Sequence, residues 1–333
     1  MIPDASRAIR RCTRAPAEYA KRYLLHLSRW EVSLTGRQPV VEPGPATLGA
    51  RSILERPHAV HESPLVSVIT PVYNGGRLIR STVESVLRQS YSRIEYIVID
   101  GGSSDDTVEV VRSCGPGIAE LISEPDGGVY DALVKGFHRA RGEIVCYINA
   151  GDFLYPHAIQ VAVDLLGDAK NSWITGCRSV CNEANVLTSV DLPFRYKTSL
   201  IRSGSYGRAL PFIQQESTFW RASLLKAVNM DFLRRLKLAG DYYLWWSFSD
   251  LAQLEVVSSP LGVFKKHAGQ LSDAMEEYFR EVRTFTRSRG PKERCLEFIE
   301  RCFWALNPRI RSTLFDSVFR FDHRTGEWRK GHW

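Results

Sequence analysis

Methionine is scarce, at 3 in 333 residues, and no apolar run reaches the roughly 18 residues needed to span a bilayer. The first thirty residues are basic but lack an apolar h-region, so they do not read as a secretory signal. Seven cysteines is an odd number, and they are scattered. Cys177 and Cys181 lie four apart with no second pair at zinc-site spacing, so the set reads as reduced thiols in cytosol. Two phosphate-binding signatures are missing as well. The first strand-to-helix turn reads TPVYNGGR, which lacks the G-x-G-x-x-G of a dinucleotide fold, and there is no Walker loop. Internal repeats and low-complexity tracts are absent too.

The composition that remains, 44% hydrophobic and 24% charged, is that of a globular chain. The net charge of +7 sits at the ends. Residues 1–62 and 275–333 each carry +4, while 63–274 carry −1. Solvated helix faces account for such charge. The sharper reading is attraction to an anionic membrane surface, worth about 1 kcal/mol per basic residue near the headgroups. No reader motif accompanies the charge, so nucleic acid is not expected as a partner. Residues 36–64 are rich in Pro, Gly and Ser and read as a linker. The organisation expected is a basic N-terminal extension and linker over 1–62, a domain over 63–272, and a basic helical extension over 273–333. Trp304, Phe315, Phe319 and Phe321 are the expected apolar anchors of that tail.

From Leu65 the pattern becomes regular. LVSVIT, IEYIVID, IAELISE and EIVCYIN are short apolar runs with strand character. Between them, RLIRSTVESVLRQS, SSDDTVEVVRSC and VYDALVKGFHRAR have helical spacing. Alternation of this kind predicts an α/β fold, Rossmann-like, with a mostly parallel sheet flanked by helices. Past Asp152 the alternation loosens. A helix is predicted at PHAIQVAVDLLG, strands at SWITGC and LEVVSS, and helices at RASLLKAV and GDYYLWWSFSDLA, with 182–215 irregular.

Ligands of open α/β sheets sit at the carboxyl ends of the strands. Those ends read TPVYN, DGGSSDDT, EPDGGVYD and NAGD. Turns need Gly and Asn, but they do not need an acid after each strand. Carboxylates gathered on one edge repel and call for a cation or a hydrogen-bonded ligand. A nucleotide-binding sheet without phosphate loops has an obvious alternative, a divalent metal held by a carboxylate.

In this order and spacing SVITPVYN, YIVIDGGSSDDT, SEPDGGVYDALVKG and YINAGD resemble the nucleotide-binding half of family 2 glycosyltransferases of the GT-A fold, bacterial polysaccharide-building members above all. The resemblance covers roughly residues 63–270. It implies that Asp152 is the last acid of a D-x-D-type motif, holding Mg²⁺ or Mn²⁺ on the diphosphate of a UDP- or GDP-sugar. The motif is reduced here to Asn149-Ala150-Gly151-Asp152. Gly151 allows close backbone approach. It further implies that Asp100 contacts the nucleobase or ribose, that Pro71, Tyr73 and Asn74 line the base pocket, and that Gly102, Asp126 and Asn149 belong to the same donor site. FIQQESTFWRASLL and KLAGDYYLWWSF resemble two further family stretches. The second places the catalytic base at Asp241, and the first places Gln214, Gln215 and Glu216 beside acceptor or donor hydroxyls. FKKHAGQLSD resembles the segment that closes such sites, with His267 as a second metal ligand or diphosphate contact. Plainer roles compete at several positions: Asp152 and Asp241 as helix caps, Asp100 as a turn residue, Lys135 as an ordinary surface lysine.

The function expected is inverting transfer of a sugar from a nucleoside-diphosphate-sugar to a glycan or lipid-linked acceptor in cell-surface polysaccharide synthesis. The expected setting is cytoplasmic, peripheral at the inner face of the plasma membrane. Two other classes stay open on the residues alone. A nucleotidyltransferase making nucleotide-sugars needs a Gly- and Lys/Arg-rich loop after strand one, of which TPVYNGGRLIR is a poor version. A degenerate, non-catalytic sugar-nucleotide-binding protein fits the single acid of NAGD.

Overall fold

The computed structural model describes residues 63–167, 170–267, 270, 274–307, 310–311 and 317–331. The expected N-terminal extension and linker, together with Phe315, lie outside the described residues. Strand β1 (Val66–Val72) is buried along its whole length, as a central strand covered on both faces must be. It pairs in parallel with β2 (Ile94–Asp100) on one side and β4 (Ile144–Tyr147) on the other, and β2 pairs in parallel with β3 (Glu120–Ser123). The chain therefore reverses its direction of travel across the sheet between β1 and β4, which opens a ligand crevice beyond the carboxyl ends of these strands.

Helices α1 (Gly76–Leu87), α2 (Thr107–Ser113) and α3 (Val129–Arg139) make the crossovers. Their inward faces follow helical spacing, as with Ile79, Thr82, Val83 and Val86 in α1. Past β4 come β5 (Phe153–Leu154), α4 (Ala158–Leu166), β6 (Trp173–Cys181), β7 (Leu187–Asp191) and α5 (Thr198–Arg202). Strand β8 (Thr218–Arg221) runs antiparallel between β4 and β6. After it, α6 (Met230–Arg235) and α7 (Gly240–Phe248) lead to β9 (Glu255–Pro260) and β10 (Gly262–Lys265).

Where a helix is predicted at RASLLKAV, the chain forms a 3-10 segment, Ala222–Ala227. The tail is helical through α8 (Met275–Phe285) and α9 (Pro291–Ala305). It then departs from the helical expectation. Strand β11 (Val318–Asp322) adds to the sheet in parallel with β9 and folds back on β12 (Glu327–Lys330). Phe319 packs on the core there, whereas the expected anchor Phe321, two residues nearer the hairpin turn on the same face, is 41% exposed.

Helix α7 is apolar nearly all round, the mark of an interior helix. Trp245 stacks on Trp173 at 5.8 Å and meets Trp220 edge-on at 5.7 Å, while Phe248 closes against both tryptophans. Aromatic pairs of this kind add about 0.5–1.5 kcal/mol each beyond area burial. This packing fixes the helix whose first turn carries Asp241.

Candidate active site

The four strand-end loops converge as expected, in two groups. The first forms around Asp100, which is wholly buried at the end of β2. Its carboxylate accepts the Ser123 hydroxyl at 2.6 Å, the Ser103 N–H at 3.1 Å and the Ser103 hydroxyl. Asn74, with φ 48, accepts the Ser104 N–H on Oδ1 and donates its own N–H to Ser103 Oγ. Gly102 has φ +80, and a Cβ there would sit 3.0 Å from the Pro125 nitrogen, so the DGG turn presses on the third loop. Asp126 lies against Gly101 and accepts the Gly128 N–H at 2.8 Å. Tyr73 stands 66% exposed at the rim, and Pro71 is buried within β1. Lys135 pairs with Glu124 at 2.8 Å, which suits its plainer role.

The second group is built on NAGD. Gly151 adopts φ +107 and its N–H is held by Thr82 Oγ1, which in turn donates to the Asp152 carbonyl at 2.7 Å. Asp152 is 5% exposed, and its Oδ1 accepts the Lys265 N–H from β10. A Cβ on Gly151 would stand 4.0 Å from His267 Nε2, so His267 reaches this loop. Asn149 donates to Gln215 Oε1 at 3.1 Å, and Gln215 donates to the Tyr147 carbonyl at 2.5 Å. Asn149 Oδ1 is buried without a hydrogen-bond partner. Glu216, 3% exposed, takes a hydrogen bond from Gln214 at 2.7 Å.

Neither competing cap role survives. Asp152 lies several residues before α4, whose N-cap is His157. Asp241 lies inside α7, whose N-cap is Ala239. Its Oδ1 accepts the N–H of Tyr242 at 2.7 Å and the hydroxyl of Tyr278 at 3.1 Å; Oδ2 takes neither bond. The turn before it is held from α8, where Glu281 accepts the N–H groups of Lys237, Leu238 and Ala239, each at 2.8 Å. Gly240 is required because a Cβ there would enter the ring of Tyr130.

Electrostatics set these acids apart. Burial pushes Asp152 well above the usual carboxylate range, and the neighbouring Glu216 adds to it. Burial likewise lifts Glu216 to about 7 and Asp241 to about 6. Glu95, buried in β2 away from these loops, shows the contrast. Burial pushes it up, but the Arg141 N–H, the Ser67 hydroxyl and the Arg141 guanidinium hold it net below its ordinary value. Glu95 is fully paired, whereas burial outweighs the hydrogen bonds that reach Asp152, Glu216 and Asp241, as acid–base chemistry or a cationic ligand requires.

Thr82, Tyr130, Lys265, Tyr278 and Glu281 escaped the sequence reading. The only available signal was the spacing of tyrosine and glutamate on the inner face of α8.

The residues present fit a divalent cation in part. Asn149 Oδ1 lacks a partner, Asp152 is a buried acid that the Lys265 N–H offsets only in part, and both belong to one loop. Among the described residues no three His, Cys, Asp or Glu side chains gather as a metal cluster. A cation here would take most of its ligands from phosphate and water, as Mg²⁺ commonly does.

Sheet order and switch point define an open α/β fold with an acid-lined crevice at the carboxyl ends of its strands. A family model for glycosyl transferase family 2 matches residues 67–229, just under half of the chain. An uncharacterized glycosyltransferase of Rickettsia prowazekii is 28% identical over 223 residues, covering 65% of this chain and 70% of that protein. One of Mycobacterium tuberculosis is 45% identical over 106 residues, 31% of this chain and 40% of the relative. Among solved structures, S. aureus TarS 1-349 in complex with UDP-GlcNAc is similar in fold, with a TM-score of 0.54 and 20% identity, over 66% of this chain and 65% of that one.

Proposed function

We propose that the protein is an inverting transferase that moves a sugar from a nucleoside-diphosphate-sugar to a hydroxyl of a glycan or lipid-linked acceptor. One observation carries this reading: Asp152, Glu216 and Asp241 are all raised by burial around Tyr147, which senses all three charges. Asp152 follows β4, the strand beside the switch point, within the segment that the glycosyl transferase family 2 model matches. In this reading Pro71, Tyr73, Asn74, Asp100, Gly102 and Asp126 hold the nucleoside. Asn149, Gln215 and Glu216 hold the sugar-diphosphate, and Asp152 with His267 faces the phosphates. A divalent cation on Asn149 and Asp152 would offset the charge of the leaving diphosphate.

Asp241 takes the acceptor proton as the acceptor oxygen bonds to the anomeric carbon and the bond to the diphosphate breaks. Held at about 6, it is ionised at neutral pH yet a stronger base than an exposed aspartate. The Tyr278 hydroxyl and Tyr242 N–H fix its Oδ1 and leave Oδ2 as the proton acceptor. Glu216, at about 7, shares a proton near neutrality and donates to or accepts from a sugar hydroxyl.

Titration calorimetry with UDP and GDP, with and without Mn²⁺, tests the donor half of this reading. One nucleotide should bind, and more tightly with the metal. Failure of both to bind under either condition would overturn it.

A further inference from the structure

Helix α9 sets Leu296, Phe303 and Trp304 against the core and buries acids among them. Glu300, with no exposed surface, accepts Arg195 at 2.5 and 3.1 Å and Lys197 at 3.2 Å. Glu297, 9% exposed, pairs with Arg289 at 2.9 Å. Glu293 is half-buried. Burying carboxylates is costly unless each is paired, and here the pairing cations come from outside the helix.

The outward face carries what an ordinary helix hides. Cys295, Phe298, Ile299 and Cys302 lie at positions i, i+3, i+4 and i+7, a stripe roughly 100° wide. All four are exposed, Phe298 by 67% and Ile299 by 42%. Lys292 on one edge and Arg294 and Arg301 on the other flank the stripe, and all three are exposed. No exposed acid shares the face.

We propose that this face of α9 is a docking surface for an anionic lipid bilayer. An apolar centre that enters the headgroup boundary, rimmed by cations that meet lipid phosphates, is the arrangement of a helix lying in the interface plane. The charge pattern selects this occupant. A face whose only charges are positive complements an anionic surface and repels a second copy of itself. The inward turn of the three acids is what makes it so. None of the described helices is long and apolar enough to cross a membrane, so α9 lies on the surface and does not span it. Docking there would hold the transferase beside lipid-borne acceptors, an advantage that rests on the function proposed above; the lipid contact itself does not.

Flotation of the full chain with vesicles of phosphatidylcholine, alone or mixed with phosphatidylglycerol, tests the proposal. Binding is expected to the mixed vesicles only, and to fade at about 1 M salt, where screening shortens to about 3 Å. Phe298→Glu and Ile299→Glu should each lower partitioning about tenfold or more. Arg294→Ala and Arg301→Ala should each lower it about fivefold at low salt. These exposed positions should leave the thermal midpoint and nucleotide binding unchanged, and Phe298→Ala is the milder variant should the glutamate disturb the fold. Partitioning of the variants equal to wild type, or no binding to mixed vesicles, overturns the proposal. So does a lipid-independent dimer in sedimentation velocity that Phe298→Glu disperses, because the face would then belong to a second copy. If nucleotide still binds, each of these failures leaves the transferase reading standing.

Discussion

Replacing Asp241 with asparagine separates the two ways its carboxyl acts on the protein. Burial holds the group at about 6 against an ordinary 3.8, so once ionised it costs the folded state at most about 3 kcal/mol. The folded chain binds this proton more tightly than the unfolded one. The penalty is therefore absent below about 3.8, grows through the interval and is complete above about 6. Asparagine keeps an oxygen for the Tyr242 N–H and the Tyr278 hydroxyl, and it removes the charge. Thermal melts should therefore show the variant more stable than wild type by roughly 5 °C at about pH 8, with the gain shrinking toward about pH 5. Transfer should move the opposite way. Loss of a positioned base costs about 10²–10⁴-fold in turnover, with donor affinity nearly unchanged. Wild-type kcat/KM should fall on the acid side near pH 6, as the base takes up its proton. A variant that melts lower at high pH would refute the burial argument, and one that transfers at the wild-type rate would refute the base assignment and move it to Glu216.

Three further outcomes follow from the same geometry. Asp152→Asn should abolish the Mn²⁺ enhancement of nucleotide binding, measured by calorimetry, without lowering the thermal midpoint, because the amide keeps an oxygen for the Lys265 N–H and replaces a carboxyl whose ionised form burial disfavours. Glu281→Ala leaves three N–H groups before α7 without their acceptor. It should lower kcat more than it raises donor KM, with partial recovery in Glu281→Gln; a lowered midpoint with full turnover would make Glu281 merely structural. Gly240→Ala should destabilise by about 1–3 kcal/mol in chemical denaturation, because its methyl group meets the Tyr130 ring.

The first half of the fold was legible because its elements are local. IEYIVID is β2 from end to end, and the apolar spacing of RLIRSTVESVL reappears as the inner face of α1. The acid-bearing loops were legible for a related reason. Each directly follows a buried strand, and all strands of a parallel sheet deliver their carboxyl ends to one edge. The supports of Asp241 were not. Tyr278 stands 37 residues past Asp241, and Glu281 stands 42 to 44 residues past the N–H groups it accepts, and no local period links a helix in the tail to the turn before α7. Nor does a pattern of apolar and polar residues tell N-cap from first turn when GDYYLWW is apolar on every side. The β11–β12 hairpin was hidden by its charge: FRFDHRTGEWRK alternates, but its arginines and glutamate resemble the helical stretch before it.

The central claim is sugar transfer with inversion at this crevice, and the configuration of the product tests it most directly. Incubation of α-linked UDP- and GDP-sugars with a lipid-linked glycan acceptor, followed by proton NMR of the anomeric signal, should show one donor consumed and a β-linked product. That signal should vanish in Asp241→Asn. An α-linked product, or a β-linked one formed as fast by the variant, would contradict the account.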